Sequence, residues 1–274
     1  MSGTKTGVVG NVYKAVEGTS GEKPIILHCI IHQQALCGKN LEISEVMEIV
    51  VKTVNYIRSS FQKHRQFKAF LSEIDSNYPD VPYHCEVRWL SRGKVLQRFF
   101  ELHEAIDIFM IEQGRQEPVL SNPVWLWKLA FLVDITVHIN CLNLKLQGPN
   151  SLITDAYHHV NAFRKKLALF EKQLNNKNLD HFETCQKCVS EASVPFPSEF
   201  TAKVVSQLSQ QFNKRFEDFD KECGRINMFQ NPFKCDIDTV PLSLQLEIFD
   251  LTTNETHKEN YQECLKRGDL LSFL

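Results

Sequence analysis

Apolar residues recur at steps of three and four along most of this chain, with polar positions between them, the pattern of helices that bury one face. Ser44 suits an N-cap, with Glu45 and Glu48 in the first turn. Val46, Val50, Val54, Ile57 and Phe61 then form a single stripe. HRQFKAFLSEI (64–74) continues as a second helical piece up to the turn NYPDVP (77–82). Val95, Phe99, Leu102, Ile106 and Phe109 predict a helix from Ser91 to Glu112. Trp125, Leu129, Leu132 and Ile139 predict another from Asn122 to Leu146, ended by Gly148-Pro149. Val160, Phe163, Leu167 and Phe170 anchor a helix over 154–174, and Ser198 caps one carrying Val204, Leu208, Phe212, Phe216 and Phe219. GVVGNVYKAV (7–16) and the last twenty or so residues each fit a short helix. Against this background PIILHCIIH (24–32) is rich in β-branched residues and follows a turn-rich break, which predicts a short buried strand. PYHCEVRW (82–89) reads as extended. PLSLQLEIFDL (241–251) alternates like a strand, yet Pro241 equally suits the first turn of a helix. The pattern as a whole predicts a mainly α protein with a small β element near the N-terminus.

Composition narrows this. A length of 274 residues suits one large domain or two modest ones, and 43% hydrophobic with 23% charged residues excludes disordered and fibrous classes. The net charge of −2 gives no global attraction to nucleic acid or anionic lipid, so any such affinity needs a local patch. The most apolar region, Val124–Ile139, is interrupted by Lys128, Asp134 and His138, which fits a buried helix and no membrane span. MSGTKTGVVG contains no apolar signal core. The expectation is a soluble intracellular protein whose nine cysteines are reduced thiols.

Few residues are grouped for chemistry. Cys29-Ile30-Ile31-His32 and Cys185-Gln186-Lys187-Cys188 have metal-like spacing, but neither has a tight second half. Cys29 reads more simply as a small hydrophobe in an apolar run. The expectation is no metal and no other cofactor. No nucleophile elbow, P-loop, HExxH or dinucleotide fingerprint occurs, and no small-molecule substrate suggests itself. Two basic stretches stand out. Lys52–Lys68 holds five Lys/Arg and no acid, a balance that helix-dipole complementation explains. RWLSRGKVLQR (88–98) joins four basic residues to a tryptophan, and guanidinium–phosphate pairing with indole–base stacking would suit nucleic acid. Trp89 as a core residue fits the residues equally well.

Five segments, LHCIIHQQALCGK (27–39), CEVRWLSRGKVLQRFFEL (85–102), LAFLVDITVHINCLNLKLQG (129–148), AFRKKLALFEKQL (162–174) and PLSLQLEIFDL (241–251), together resemble the hAT family of DNA transposases, and most closely its domesticated animal copies and their BED-type zinc-finger relatives. The resemblance implies a ribonuclease-H-like domain interrupted by a large helical insertion. Residues 1–90 would be a partial ribonuclease-H-like core and 91–274 the helical insertion. Family catalysis uses two aspartates and a glutamate around two divalent metals. Met1-Ser2-Gly3 resembles the end of the segment holding the second aspartate, and no motif like that of the glutamate follows before Leu274. The implied protein is not an enzyme. By the same resemblance Arg88 and Trp89 face DNA, with Arg92 and Lys94 as phosphate contacts by charge, and the location is the nucleus. DNA and protein partners both remain open, because a helical protein-interaction module without nucleic-acid binding fits the residues too.

Overall fold

The structure is a computed structural model in which residues 7–20, 28–37, 44–82, 89–147, 152–189, 194–267 and 273 are described. These residues form helices α1 (Val8–Ser20), α2 (Ile30–Cys37), α3 (Ser44–Ile57), α4 (Phe61–Glu73), α5 (Trp89–Glu101), α6 (His103–Glu112) and α7 (Pro123–Leu146). They continue with α8 (Ile153–Asn175), α9 (Glu183–Val189), α10 (Ser198–Lys221), α11 (Cys223–Gln230), α12 (Gln245–Thr253) and α13 (Glu255–Arg267). No β-strand occurs among the described residues.

They divide into two compact units. One gathers the described residues within 30–151 and 158–215 and is organised around α7. Asn122 caps this helix, its side chain accepting from the Val124 and Trp125 amides, with Pro123 at the first position. From Leu129 to Thr136 eight successive side chains are buried, so α7 shows solvent no face over two turns. Its apolar window is long enough to cross a membrane, yet 67% of it is buried within the protein, the mark of a core helix. The other unit holds α1, the first turn of α8, the end of α10 and everything from α11 onward. There Tyr157 donates to Asp220 (2.8 Å), and Tyr261 donates to the Gln230 carbonyl (2.7 Å) beside Phe233 and Phe273.

Two polar residues of α7 do work that periodicity does not announce. Asp134 accepts from the amides of Thr184 and Cys185, both at 2.9 Å. These are the second and third residues of α9, the donors an N-cap side chain normally satisfies. The residue in the N-cap position is Phe182, which has no acceptor and is instead buried against Phe131 and Phe170. Helix α9 is thus capped by another helix. One turn along, His138 bonds the His181 carbonyl (2.8 Å) and lies on Phe170, fixing the approach to the same cap. Burial pushes the Asp134 carboxyl above the usual aspartate range, and the amide bonds pull it back only in part.

Several sequence expectations are corrected here. The predicted strand fails at Ile30–His32, which open α2; the buried set Ile30, Gln33, Gln34 and Cys37 has helical spacing, so packing overrides β-propensity. Residues 24–27 of that segment lie outside the described residues, as do 83–88 of the predicted extended stretch. Cys29 is exposed, so it is not a buried hydrophobe. Phe61 is 82% exposed, because α3 stops at Ile57 and Ser60 caps a new helix through the Lys63 amide. The helix expected over 91–112 is two helices, broken at Leu102, although its whole predicted stripe is buried. The ambiguous segment 241–251 is helical, a 3₁₀ turn leading into α12.

Two predictions follow from α7. Asp134→Ala strands the Thr184 and Cys185 amides, the latter buried, and should cost about 1–3 kcal/mol in chemical denaturation, whereas Asp134→Asn, which keeps an acceptor, should cost less. Equal losses for both would show that the cap is not what the carboxylate contributes. Burial also holds His138 below its ordinary 6.5, so folding favours the neutral ring. The associated stability is present above pH 6.5 and is lost as pH falls through the depressed folded-state value. The melting temperature should drop on acidification below 6.5, and His138→Gln should flatten that drop.

Candidate nucleic-acid interface

Helix α5 carries the candidate residues, and its position is set by a glycine. A Cβ built on Gly93 would stand 2.3 Å from Asn140 Nδ2 and 3.2 Å from Thr136 Cγ2, both on α7. The two helices meet closely because residue 93 has no side chain. Val95, Leu96 and Phe99 are buried on the same helix, while Lys94 is exposed. Part of the RW segment therefore serves packing. Arg88 lies outside the described residues, as do the side chains of Trp89 and Arg92; Trp89 is the first residue of α5 and Arg92 lies in its first turn.

Lys94 opens onto a groove of about 640 Å³ whose walls are α5 and the turn after α4. Tyr78 and Asp80 contribute from the turn, and Gln97, Arg98 and Glu101 from the helix. The turn is held in place by charge. Asp80 accepts from Arg58 Nη2 (2.8 Å) and is bonded through both carboxylate oxygens to His64 Nε2 (2.8 and 2.9 Å). Arg58 Nε also donates to the Val81 carbonyl (2.8 Å), and Val81 itself is fully buried. Arg98 closes the groove floor. Its guanidinium lies 3.8 Å above the Tyr78 ring and donates to the Asp80 carbonyl at 3.3 Å. Its Nε stands 3.5 Å from Glu101, an ion-pair distance without the alignment of a hydrogen bond. The Glu101 carboxylate accepts from the Tyr78 hydroxyl and pushes that phenol above its usual range.

Most charges around the groove are thereby spent on each other. Lys94 has no carboxylate partner among the described residues and is the rim charge open to a ligand. The basic stretch 52–68 also looks different from its dipole-complementing reading: Lys52 pairs with Glu117, Arg58 and His64 hold Asp80, and Lys63 lies over Tyr56. Asp80 and Tyr78, which the sequence offers only as turn residues, are what bring Arg58, His64 and Arg98 together.

No group of three or more His, Cys, Asp or Glu able to hold a metal ion occurs among the described residues. The CxxC cysteines are both buried on α9. Burial, with the Asp134 charge beside it, pushes the Cys185 thiol far up and away from thiolate chemistry. Cys37 is pushed up to about 12 by burial in the same way.

Fold and site together define a mainly helical protein with a charged groove on one of its units. A family model described as the FAM200/GTF2IRD2 helical domain matches residues 28–175. The chain belongs to that family. It is 40% identical over 235 residues to the Bos taurus protein named general transcription factor II-I repeat domain-containing protein 2, covering 86% of this chain and 24% of that one. The Mus musculus protein of the same name is 39% identical over 237 residues, covering 86% and 25%. The chain thus spans about a quarter of the length of these relatives. No solved structure matches it.

The clasp is testable. Asp80→Ala leaves Arg58, with a side chain only 13% exposed, without its carboxylate. It should cost about 1–3 kcal/mol in urea unfolding, with Arg58→Met/Asp80→Ala losing less than the two single changes summed. Strict additivity would show that the pair does not act as a unit.

Proposed function

We propose that this chain is the helical domain of a hAT-transposase-derived protein, without strand-transfer chemistry of its own, that binds nucleic acid in the nucleus along the α5 face. In this reading residues 91–274 are the helical insertion and 1–90 a partial ribonuclease-H-like core. The observation that carries the reading is Lys94, a cation without a carboxylate partner among the described residues, on the rim of a groove whose other charges are paired. It sits five residues after Trp89 in the segment that resembles the DNA-facing part of the family. The names of the relatives, which refer to a transcription factor, support a nuclear setting. Arg88, Trp89 and Arg92 join Lys94 in this proposal as phosphate and base contacts.

A second reading, a protein-interaction module, has its own support. Leu242, Leu246 and Phe249, at and just before α12, are 86%, 75% and 53% exposed. Large apolar side chains exposed this close in sequence suit a protein-binding surface.

Titration of labelled single-stranded and hairpin DNA across about 25–200 mM salt separates the two. Binding should weaken with salt, and Lys94→Gln should reduce the slope of log K on log salt by about 0.7 for a single strand. Trp89→Ala should weaken binding by about 1–3 kcal/mol, the scale of one stacked base, with little change in melting temperature. A large melting loss without a binding loss would place the indole in the core. Absence of binding at the lowest salt would leave the protein-interaction reading.

A further inference from the structure

A second cluster of cations, sharing no residue with the groove, surrounds Tyr56 on α3. Lys63, in the first turn of α4, places Nζ 4.1 Å from the centre of the Tyr56 ring and donates to Ser59 Oγ at 3.1 Å. Arg115 brings its guanidinium to 5.8 Å from the same ring. Its position is fixed by the end of α6. Gly114 takes the left-handed conformation (φ 65°), its amide bonds the Ile111 carbonyl, and the Arg115 amide bonds that of Met110 at 2.8 Å. Two like charges thus converge on one aromatic ring from two elements, and neither has a carboxylate partner among the described residues. Glu117, the acid nearest Arg115 in sequence, is taken by Lys52.

Two cations sharing a ring repel each other, and a ring quadrupole offsets that only weakly where water reaches it. An anion between them removes the repulsion. A hydroxyl at Ser59 adds a donor of the kind that phosphate oxygens accept. We propose that Lys63, Arg115 and Ser59 around Tyr56 form a phosphate-binding site that takes a backbone phosphate of nucleic acid. Extent favours a polymer over a single anion: Arg65 and Lys68 are exposed further along α4. The site shares none of its residues with the groove, while the choice of nucleic acid over another polyanion rests on the functional reading above.

The test uses the full chain, labelled single-stranded DNA and a salt series, with three proteins: wild type, Lys63→Gln/Arg115→Gln and Lys94→Gln. Thermal melts confirm that each folds, Lys94 and Arg115 being exposed and Lys63 half-buried. The double variant should lower the slope of log K on log salt by about 1.4, two contacts at about 0.7 each. Lys63→Arg/Arg115→Lys, which keeps both charges, should restore most of it. If Lys94→Gln weakens binding and the double variant does not, this site is overturned and the groove stands. If the double variant acts and Lys94→Gln does not, the groove fails and this site stands. Wild-type protein that binds no DNA at low salt overturns both. Inorganic phosphate titrated alone provides the last arm. Saturation below about 1 mM, abolished in the double variant and unaffected by DNA, would assign the site to the free ion and overturn the nucleic-acid assignment.

Discussion

The unit built around α7 depends on one carboxylate placed in an apolar helix. Asp134 accepts the two amides that α9 cannot satisfy from its own sequence, and it does so across 50 residues of chain. A helix of seven residues has no stability of its own in water. Helix α9 therefore forms when it docks, and its docking fixes Phe182 between α7 and α8 and buries both CxxC cysteines. Burial pushes the Asp134 carboxyl above the usual aspartate range, and the amide bonds offset that desolvation only in part. His138, one turn away, repeats the device with a neutral donor.

Helices were legible in the sequence wherever apolar spacing ran for three turns or more. The stripes on α7, α8 and α10 are buried as spacing predicts, because a long helix averages over single exceptions. Failures cluster where local and tertiary preferences compete. Ile30 and Ile31 favour a strand by residue type, but burial of Gln33, Gln34 and Cys37 commits the segment to a helix. Phe61 continues the α3 stripe in spacing alone; the Ser60 cap ends that register one residue before it.

The candidate site was less legible, for a physical reason. A run of basic residues without acids says nothing of where acids from other segments will sit. Asp80 and Glu117 reach back to Arg58 and Lys52 and decide which cations remain open. Lys94 could be named from sequence; Tyr78, Asp80 and the partnership around Arg98 could not, because they meet only when the turn after α4 is laid against α5. Gly93 shows the converse. It lies within the basic RW segment, yet its contact with Asn140 and Thr136 makes it a packing residue.

The eight consecutive buried positions of α7 have a consequence for how this domain can diverge. Adding or deleting one residue between Asn122 and Asp134 would rotate everything beyond it by about 100°. A helix with an exposed face can absorb such a slip by letting a polar residue replace an apolar one. Here every direction already faces a neighbour, and Asp134 would swing away from α9 while Gly93 met a different side chain on α7. A one-residue change in the length of α7 before Asp134 should therefore be far more damaging than the same change in a segment between helices.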